Sequence, residues 1–173
     1  MGKEKRIYMR IGVLGILLIA LVFAIYSSIS KPGLLKVGDE APNFSLKDRE
    51  DKNVTLADLK GKTVILNFWG TWCEPCRNEM PALEKIYQKY KSDDVVVIGL
   101  NVGEAKLTAE QFIRQVEVTF PIWFDSRKEV TKRYSVGKMP TTYFIDKDGV
   151  IRVIKTGEMT ERVMEQLLSE TKQ

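Results

Sequence analysis

A chain of 173 residues with a hydrophobic fraction of 44% is long enough for one domain with a sizeable core and an additional segment. The chain has no histidine, which excludes histidine acid–base catalysis, cysteine–histidine nucleophile pairs and histidine metal ligands. The net charge is +4, but residues 1–30 contain four basic residues and one acidic residue, so charges nearly balance over residues 31–173. This balance argues against a nucleic-acid-binding face, and no nucleic acid partner is expected.

The N-terminal 30 residues have the pattern of a membrane anchor. A basic segment, residues 1–10, precedes an apolar and uncharged stretch over residues 11–30. At about 1.5 Å of helical rise per residue, this stretch roughly spans a bilayer core of about 30 Å. The basic flank predicts residues 1–10 in the cytoplasm and the rest of the chain on the outer face of the cell membrane. A cleaved signal peptide with a cleavage site near Ser28-Ile29-Ser30 and a buried core helix are the alternatives.

Residues 31–36 are predicted to be a linker and residues 37–173 a single domain. In the first half of this domain, hydrophobic patterns predict a hairpin, two buried strands and two helices. Helical spacing of apolar residues marks the first helix, in which Pro81 is expected to produce a kink. In chain order these elements are hairpin strands over 43–46 and 54–56, a strand over 63–69, a helix over 74–91, a strand over 95–102 and a helix that begins at Thr108.

The second half of the domain is predicted to end in a hairpin and an amphipathic helix. The elements are an irregular or extended segment over 116–124, a helix over 126–134, strands over 141–146 and 150–155, and a helix over 159–169. The whole pattern predicts an α/β sandwich in which parallel strands come first and an antiparallel pair closes the sheet.

The only two cysteines, Cys73 and Cys76, follow the strand that ends at Trp69, so they lie where functional sites of parallel sheets usually occur. Zinc needs four ligands, and two cysteines supply half of them. A structural disulfide across two residues closes too small a loop to stabilise the fold much. A redox-active dithiol–disulfide pair is therefore favoured, with no metal and no cofactor.

The helix that follows the cysteines suggests their order of action. Cys73 lies at the helix N-terminus, where the helix dipole favours a thiolate, and Pro75 suits the first turn because its missing N–H needs no partner there. Cys73 is therefore predicted to attack a substrate disulfide. Cys76, one turn further into the helix, is predicted to be more buried and to resolve the mixed disulfide.

These residues belong to motifs that resemble the thioredoxin superfamily. FWGTWCEPC from Phe68 and KMPTT from Lys138 resemble its active-site motif and its loop with a cis-proline that faces the cysteines. The N-terminal apolar segment, APNF at Ala41 and LNVGE at Leu100 resemble the extracytoplasmic ResA group. Over nearly the whole chain, the resemblance implies a thioredoxin-like sandwich with an N-terminal β-hairpin and a central insertion, preceded by one transmembrane helix.

For the ResA group, the resemblance also implies a function. It implies a membrane-anchored thiol–disulfide reductase that reduces the haem-binding cysteines of apocytochrome c during cytochrome c maturation. The electrons would come from a membrane thiol–disulfide carrier. The substrate is expected to contact residues beside the cysteines, namely Trp72, Glu74, Pro75, Met139 and Pro140. For Trp72, a half-buried packing residue is the alternative.

A proton acceptor for the cysteine pair is also expected. Thioredoxin carries a buried aspartate in an Asp-Phe-Trp stretch, where this chain has Asn67 and therefore no titratable group. Glu79, three residues after Cys76, is the predicted acid–base group, in a partly exposed position on the helix surface. ResA-like proteins resemble this chain in having that glutamate. An ordinary surface glutamate is the alternative for Glu79, and Glu104 is the second candidate.

Negative charge near the cysteines predicts the direction of electron flow. Glu74 and Glu79 disfavour a thiolate at Cys73, so we expect a raised thiol pKa and a reducing pair that works in an oxidising compartment. Three alternative functions stay open. They are oxidoreduction of other envelope or spore proteins, a thiol peroxidase, because APNF also opens peroxiredoxins, and a copper-delivery protein.

Overall fold

The computed structural model describes residues 2–29, 33–92 and 94–172, and its contacts divide the chain into two units, Met1–Gly33 and Leu34–Gln173. The first unit is formed by helix α1, Lys3–Ile29. Within the described residues, no helix combines the length and the apolar character that crossing a membrane requires. The span predicted over 11–30 and the linker predicted over 31–36 include residues 30–32, which lie outside the described residues. The domain boundaries therefore stay predictions.

The second unit is built on a mixed sheet of seven strands. Its strands in chain order are β1 Ser45–Asp48, β2 Asn53–Thr55, β3 Thr63–Trp69, β4 Val95–Val102, β5 Ile122–Asp125, β6 Thr141–Ile145 and β7 Ile151–Thr156. Their order across the sheet is β2-β1-β5-β4-β3-β6-β7. The pairs β3–β4 and β4–β5 are parallel, and all the other pairs are antiparallel. The predicted α/β sandwich with a parallel centre and an antiparallel closing pair is confirmed.

Helices cover the sheet, and the core lies on both of its faces. The helices are α2 Glu74–Tyr90, α3 Lys106–Gln115, α4 Glu129–Arg133 and α5 Glu161–Thr171, with a 3₁₀ helix at Leu56–Leu59. Because side chains alternate along a strand, β3 supplies both faces. Ile65 and Trp69 pack with the apolar side of α2, whereas Leu66 and Phe68 pack in the second cluster. Asn67 shares the parity of Ile65 and Trp69, so its side chain points towards α2.

The N-terminal hairpin is present as the antiparallel pair β1–β2, in which Leu46 pairs with Val54. The resemblance implies a central insertion, and between β4 and β6 the chain contributes α3, β5 and α4. Strand β5 pairs with both β4 and β1 and so joins the hairpin to the parallel strands. The fold agrees with the thioredoxin-like architecture that the motifs imply.

The limits of three predicted helices are wrong: α5 spans Glu161–Thr171 and not 159–169, and the starts of α3 and α4 differ for local reasons. Helix α3 begins at Lys106 and not at Thr108, because the extended backbone of Ala105 starts it without any capping side chain. The helix predicted over 126–134 is reduced to α4, because Lys128 adopts a left-handed φ of 58° just before it. The Asp125 carboxylate then accepts hydrogen bonds from the first backbone N–H groups of α4.

Candidate active site

The two cysteines form a disulfide at the start of α2. Cys73 is the N-cap residue, and its sulfur accepts a hydrogen bond from the Cys76 backbone N–H at 3.3 Å. Pro75 occupies the first turn, where its missing N–H leaves no intrahelical bond unmade. Cys73 retains 6% of its surface exposed, whereas Cys76 is fully buried. An incoming sulfur can therefore approach only Cys73, which favours the predicted order of action.

The loop before Cys73 presents an aromatic side chain to solvent. Trp72 is 60% exposed, and its indole lies over Gly70 so closely that a Cβ atom on Gly70 would stand 2.7 Å from the indole nitrogen. Glu74 and Pro75 are also exposed. Trp72 is therefore a surface residue beside Cys73, in agreement with a contact to substrate and not with a half-buried packing role.

The loop before β6 lies against the same core cluster as the cysteines. The Met139–Pro140 peptide bond is cis, as the resemblance implies. Pro140 is buried, and Met139 is half-buried and packs against the cluster that contains Cys73 and Cys76. The Pro140 carbonyl accepts a hydrogen bond from the Gly157 N–H at 2.8 Å. Met139 therefore packs against the core cluster that contains the cysteine pair, and the buried Pro140 follows it across the cis bond.

Glu79 is fully buried, so the prediction of a partly exposed position on the helix surface is wrong. Glu79 lies three residues after Cys76 and four residues before Leu83. This spacing places its side chain on the face of α2 that packs against the sheet. Its Oε1 accepts a hydrogen bond from Asn67 Nδ2 at 2.7 Å, and its Oε2 accepts one from the Met159 backbone N–H at 3.2 Å. Glu79 is consequently a core carboxyl one turn below Cys76.

Burial changes the acid–base properties of this carboxyl. Loss of solvation raises the pKa of Glu79 to about 7, and hydrogen bonds from Asn67 and the Met159 N–H offset only part of that rise. The charge of Glu158, which is exposed in the segment between β7 and α5, raises it further. A group with a pKa near neutral can both accept and release a proton at physiological pH, which is what a general acid–base residue requires.

Asn67 and Thr142 are two site residues whose roles the motifs did not predict. Both are fully buried, and Asn67 Nδ2 donates to Thr142 Oγ1 at 2.9 Å in addition to its bond to Glu79. A signal existed in the sequence, because an asparagine inside the apolar run TVILNFW must find partners when the strand is buried. The apolar sequence around Asn67 therefore predicts that this side chain is buried, but it does not predict which residues hydrogen-bond to it.

Glu104 supports the loop that leads to Cys73. One oxygen, Oε2, accepts hydrogen bonds from the Thr71 backbone N–H at 2.8 Å and from Asn101 Nδ2 at 2.7 Å. The other oxygen accepts a short hydrogen bond from the Thr71 hydroxyl. The side chain is only partly buried. Its contacts thus fix the loop one residue before Trp72, and it reaches neither cysteine through a hydrogen bond described in the structure.

The chemistry available at this site is thiol–disulfide exchange. A cysteine pair at a helix N-terminus, with one accessible sulfur and a buried carboxyl of near-neutral pKa, is suited to attack on a disulfide and resolution of the mixed disulfide. Within residues 2–29, 33–92 and 94–172, no group of three or more acidic or cysteine side chains is arranged to hold a metal ion.

Comparisons with known proteins agree with this chemistry. Residues 37–154 match the model of the AhpC/TSA family. The thiol-disulfide oxidoreductase ResA of Geobacillus kaustophilus (strain HTA426) is 42% identical over 173 residues, 99% of each chain. ResA of Bacillus subtilis (strain 168) is 40% identical over 165 residues, 95% of this chain and 92% of that one. The structure of a candidate thiol:disulfide interchange protein DsbE from Chlorobium tepidum has a TM-score of 0.75 at 32% identity, over 79% of this chain and 98% of that chain.

The matches extend over the complete cysteine motif, the loop with Pro140 and nearly the whole domain. Together with the accessible Cys73 and buried Cys76, they identify an enzyme that reduces protein disulfides by dithiol–disulfide exchange. The chain therefore belongs to the AhpC/TSA family and, within it, to the ResA thiol–disulfide oxidoreductases.

Proposed function

We propose that this enzyme reduces the disulfide between the haem-binding cysteines of apocytochrome c, so that haem can be attached during cytochrome c maturation. The support for this substrate is the resemblance of the cysteine motif, APNF at Ala41 and LNVGE at Leu100 to the ResA group. The observation that carries the proposed mechanism is the buried Glu79, which is held one turn below Cys76 with a pKa of about 7.

The reaction begins with the reduced pair. The Cys73 thiolate attacks one sulfur of the substrate disulfide, a mixed disulfide forms, and the other substrate sulfur leaves as a thiolate that takes a proton from solvent. Glu79 then accepts the proton of the Cys76 thiol. The Cys76 thiolate attacks the Cys73 sulfur, which releases the second substrate thiolate and leaves the Cys73–Cys76 disulfide.

Each turnover transfers two electrons from the enzyme to its substrate, so the oxidised pair must be reduced again. The proposed reductant is a membrane thiol–disulfide carrier, whose dithiol becomes a disulfide as Cys73 and Cys76 regain two electrons and two protons. Negative charge at Glu74, and at Glu79 once ionised, disfavours the Cys73 thiolate. A pair whose reduced state is not stabilised as a thiolate is a better electron donor than acceptor.

The proposed location is the outer face of the cell membrane. The support comes from the sequence, in which the basic residues 1–10 precede the uncharged residues 11–30. Protease added to protoplasts should digest residues 37–173 of the full chain, while a cytoplasmic marker protein remains intact. Digestion only after the protoplasts are lysed would contradict this location, and recovery of the full domain in the culture medium would indicate a cleaved signal peptide.

The substrate is tested by trapping it. Cys76→Ser removes the resolving sulfur, so mixed disulfides at Cys73 should accumulate in cells, and the proposal expects apocytochrome c among the captured proteins. Cys73→Ser is the matched control. Like Cys76→Ser it retains one cysteine, but it lacks the accessible sulfur, so it should capture no substrate. Capture of other envelope or spore proteins without apocytochrome c would contradict the proposed substrate while leaving the reductase activity in place.

A further inference from the structure

The hydrogen bonds around Glu79 satisfy only one of its two charge states. Oε1 faces the Asn67 side-chain amide at 2.7 Å, and Oε2 faces the Met159 backbone N–H at 3.2 Å. Both neighbours donate hydrogen bonds, so each oxygen of an ionised carboxylate has a partner. A protonated carboxyl carries an O–H group that needs an acceptor, and both groups hydrogen-bonded to Glu79 in this arrangement are donors.

Only one of the two neighbours can change from donor to acceptor. The Met159 N–H belongs to the backbone and always donates. The amide of Asn67 carries a donor and an acceptor on the same planar group, and a half-turn exchanges them. After such a reversal, Asn67 Oδ1 would stand where Nδ2 stands now and would accept the Glu79 O–H.

The surroundings of Asn67 allow this reversal without a new unpartnered group. Its Oδ1 is buried and has no hydrogen-bond partner among the described atoms, so Nδ2 would take over an unpartnered position that exists already. The Thr142 hydroxyl now accepts from Nδ2 at 2.9 Å, and by rotating it can donate to Oδ1. One end of the amide therefore lacks a partner in either orientation, so the reversal changes which end is unpartnered and not how many ends are.

We propose that Asn67 is a positioning residue whose side-chain amide reverses when Glu79 takes up a proton, so that it holds the carboxyl in place in both charge states. This inference rests on the proposed role of Glu79 as the proton acceptor. The groups that bind Glu79 or act on its charge are Asn67 on β3, and Met159 with the charged Glu158 in the segment after β7, while Cys76 lies three residues before it on α2. Thr142 on β6 completes the pair with Asn67 and carries no charge.

The reversal can be observed in the oxidised full-length protein by NMR in detergent micelles between pH 5 and pH 9. The chain has no histidine, and the Cys73–Cys76 disulfide does not titrate, so the titration of the Glu79 carboxyl carbon can be followed without a nearby second titration. Above the midpoint, the Asn67 amide protons should show cross-relaxation with Thr142. Below the midpoint, these contacts should weaken, and the Asn67 amide nitrogen shift should change with the same midpoint, near pH 7.

Constant cross-relaxation and a constant Asn67 amide nitrogen shift, while the Glu79 carbon titrates, would overturn the reversal. Neither result depends on enzymatic turnover. A normal reductase rate in Glu79→Gln would instead refute the proposed catalytic role of Glu79, and the NMR titration would still decide the inference about Asn67.

A variant tests the influence of Asn67 on Glu79. Asn67→Leu removes both poles of the amide at similar volume. A hydrogen bond to a charged carboxylate is stronger than one to a neutral acid, so the Glu79 midpoint should rise by about one pH unit. Asn101→Leu is the matched control, because Asn101 is an equally buried amide on β4 that donates to Glu104, and it should leave the Glu79 midpoint unchanged. An unchanged midpoint in Asn67→Leu would overturn the inference. If that variant does not fold, the wild-type titration remains decisive.

Discussion

Two asparagine–glutamate pairs stand at the cysteine end of the sheet, and they have different consequences. In each pair the asparagine amide donates to the glutamate at 2.7 Å, from Asn67 to Glu79 and from Asn101 to Glu104. In each pair, too, the amide oxygen lacks a partner among the described atoms. Glu79 is fully buried, whereas Glu104 is partly buried and is bound by Thr71. The same two residue types thus give a buried carboxyl, the proposed proton acceptor, in one place and a loop support in the other.

The register of the sheet explains why the pairs are neighbours. Strands β3 and β4 are parallel, with Asn67 opposite Gly99 and Trp69 opposite Asn101. Glu79 returns to this region from α2, while Glu104 follows directly after β4. Burial raises the cost of a charge where water is excluded, so the buried position of Glu79, and not the identity of its amide partner, raises the pKa of its carboxyl.

The largest effect is expected from Glu79→Gln. This change keeps the shape of the side chain but removes the proton acceptor, and loss of general acid–base catalysis typically lowers a rate by about 10²- to 10⁴-fold. We expect a loss of at least about 100-fold in disulfide reduction at pH 8, and a lower pKa of the first thiol because a nearby negative charge is gone. Stopped-flow reduction rates and the pH dependence of thiol alkylation measure the two effects. A rate within threefold of wild type would mean that Glu79 is not the acceptor.

The second effect concerns stability. The pKa of Glu79 is raised from 4.5 to about 7, so the folded protein retains a proton that the unfolded chain has lost. The contribution of Glu79 to stability is therefore fully present below about pH 4.5 and is lost as the pH rises through 7, by roughly 3 kcal/mol over the interval. Denaturant unfolding of oxidised wild type and Glu79→Gln between pH 4 and pH 8 should show this decline in the wild type only. Parallel curves for the two proteins would contradict a raised pKa in the folded state.

Glu104→Gln should have a smaller effect of a different kind. One of the carboxylate oxygens that bind Thr71 becomes an N–H₂ group, so the loop before Trp72 loses hydrogen bonds. We expect a loss of about 1–2 kcal/mol in the free energy of unfolding and a rate reduced by less than tenfold. The pH midpoint near 7 should remain in the rate profile. If the midpoint disappeared from the rate profile of Glu104→Gln and remained in that of Glu79→Gln, Glu104 and not Glu79 would be the acid–base residue.

Trp72→Ala should have the smallest effect on the enzyme itself. Trp72 is 60% exposed, so its removal should change the free energy of unfolding by no more than about 0.5 kcal/mol. Its proposed role is contact with a protein substrate, and KM for that substrate should rise several-fold while the rate with a small aromatic disulfide stays constant. Leu34→Ala, at another exposed apolar position, is the control and should change neither value. Equal loss with both kinds of substrate would argue against a docking role.

Hydrophobic pattern predicted the centre of the fold well. Strands β3 and β4 have the predicted limits because both are mainly apolar runs that end at polar or glycine-containing turns. The hydrophobic pattern was less informative where backbone geometry sets the first residue of a helix. Helix α3 starts without a capping side chain, and α4 starts after a residue with left-handed φ, so the residue at the cap position marks neither point.

The sequence predicted which residues form the site better than it predicted their burial and their hydrogen bonds. Cys73 and Cys76 form a disulfide, Trp72 is exposed beside Cys73, and the Met139–Pro140 bond is cis, as the motifs indicate. The burial of Glu79 could have been predicted from its spacing to Cys76 and Leu83, which share its face of α2. Its contacts with Asn67 and the Met159 N–H could not, because they join residues that are 12 and 80 positions apart along the chain.

The central claim is that Glu79 takes the proton of Cys76 when the mixed disulfide is resolved. The most direct measurement is the decay of a preformed mixed disulfide between Cys73 and a thiol-bearing peptide, followed by rapid acid quench between pH 5 and pH 9. The account predicts a decay rate that rises with an inflection near pH 7 in wild type and Glu104→Gln, and a slow decay without this inflection in Glu79→Gln. Superimposed profiles for wild type and Glu79→Gln would contradict it.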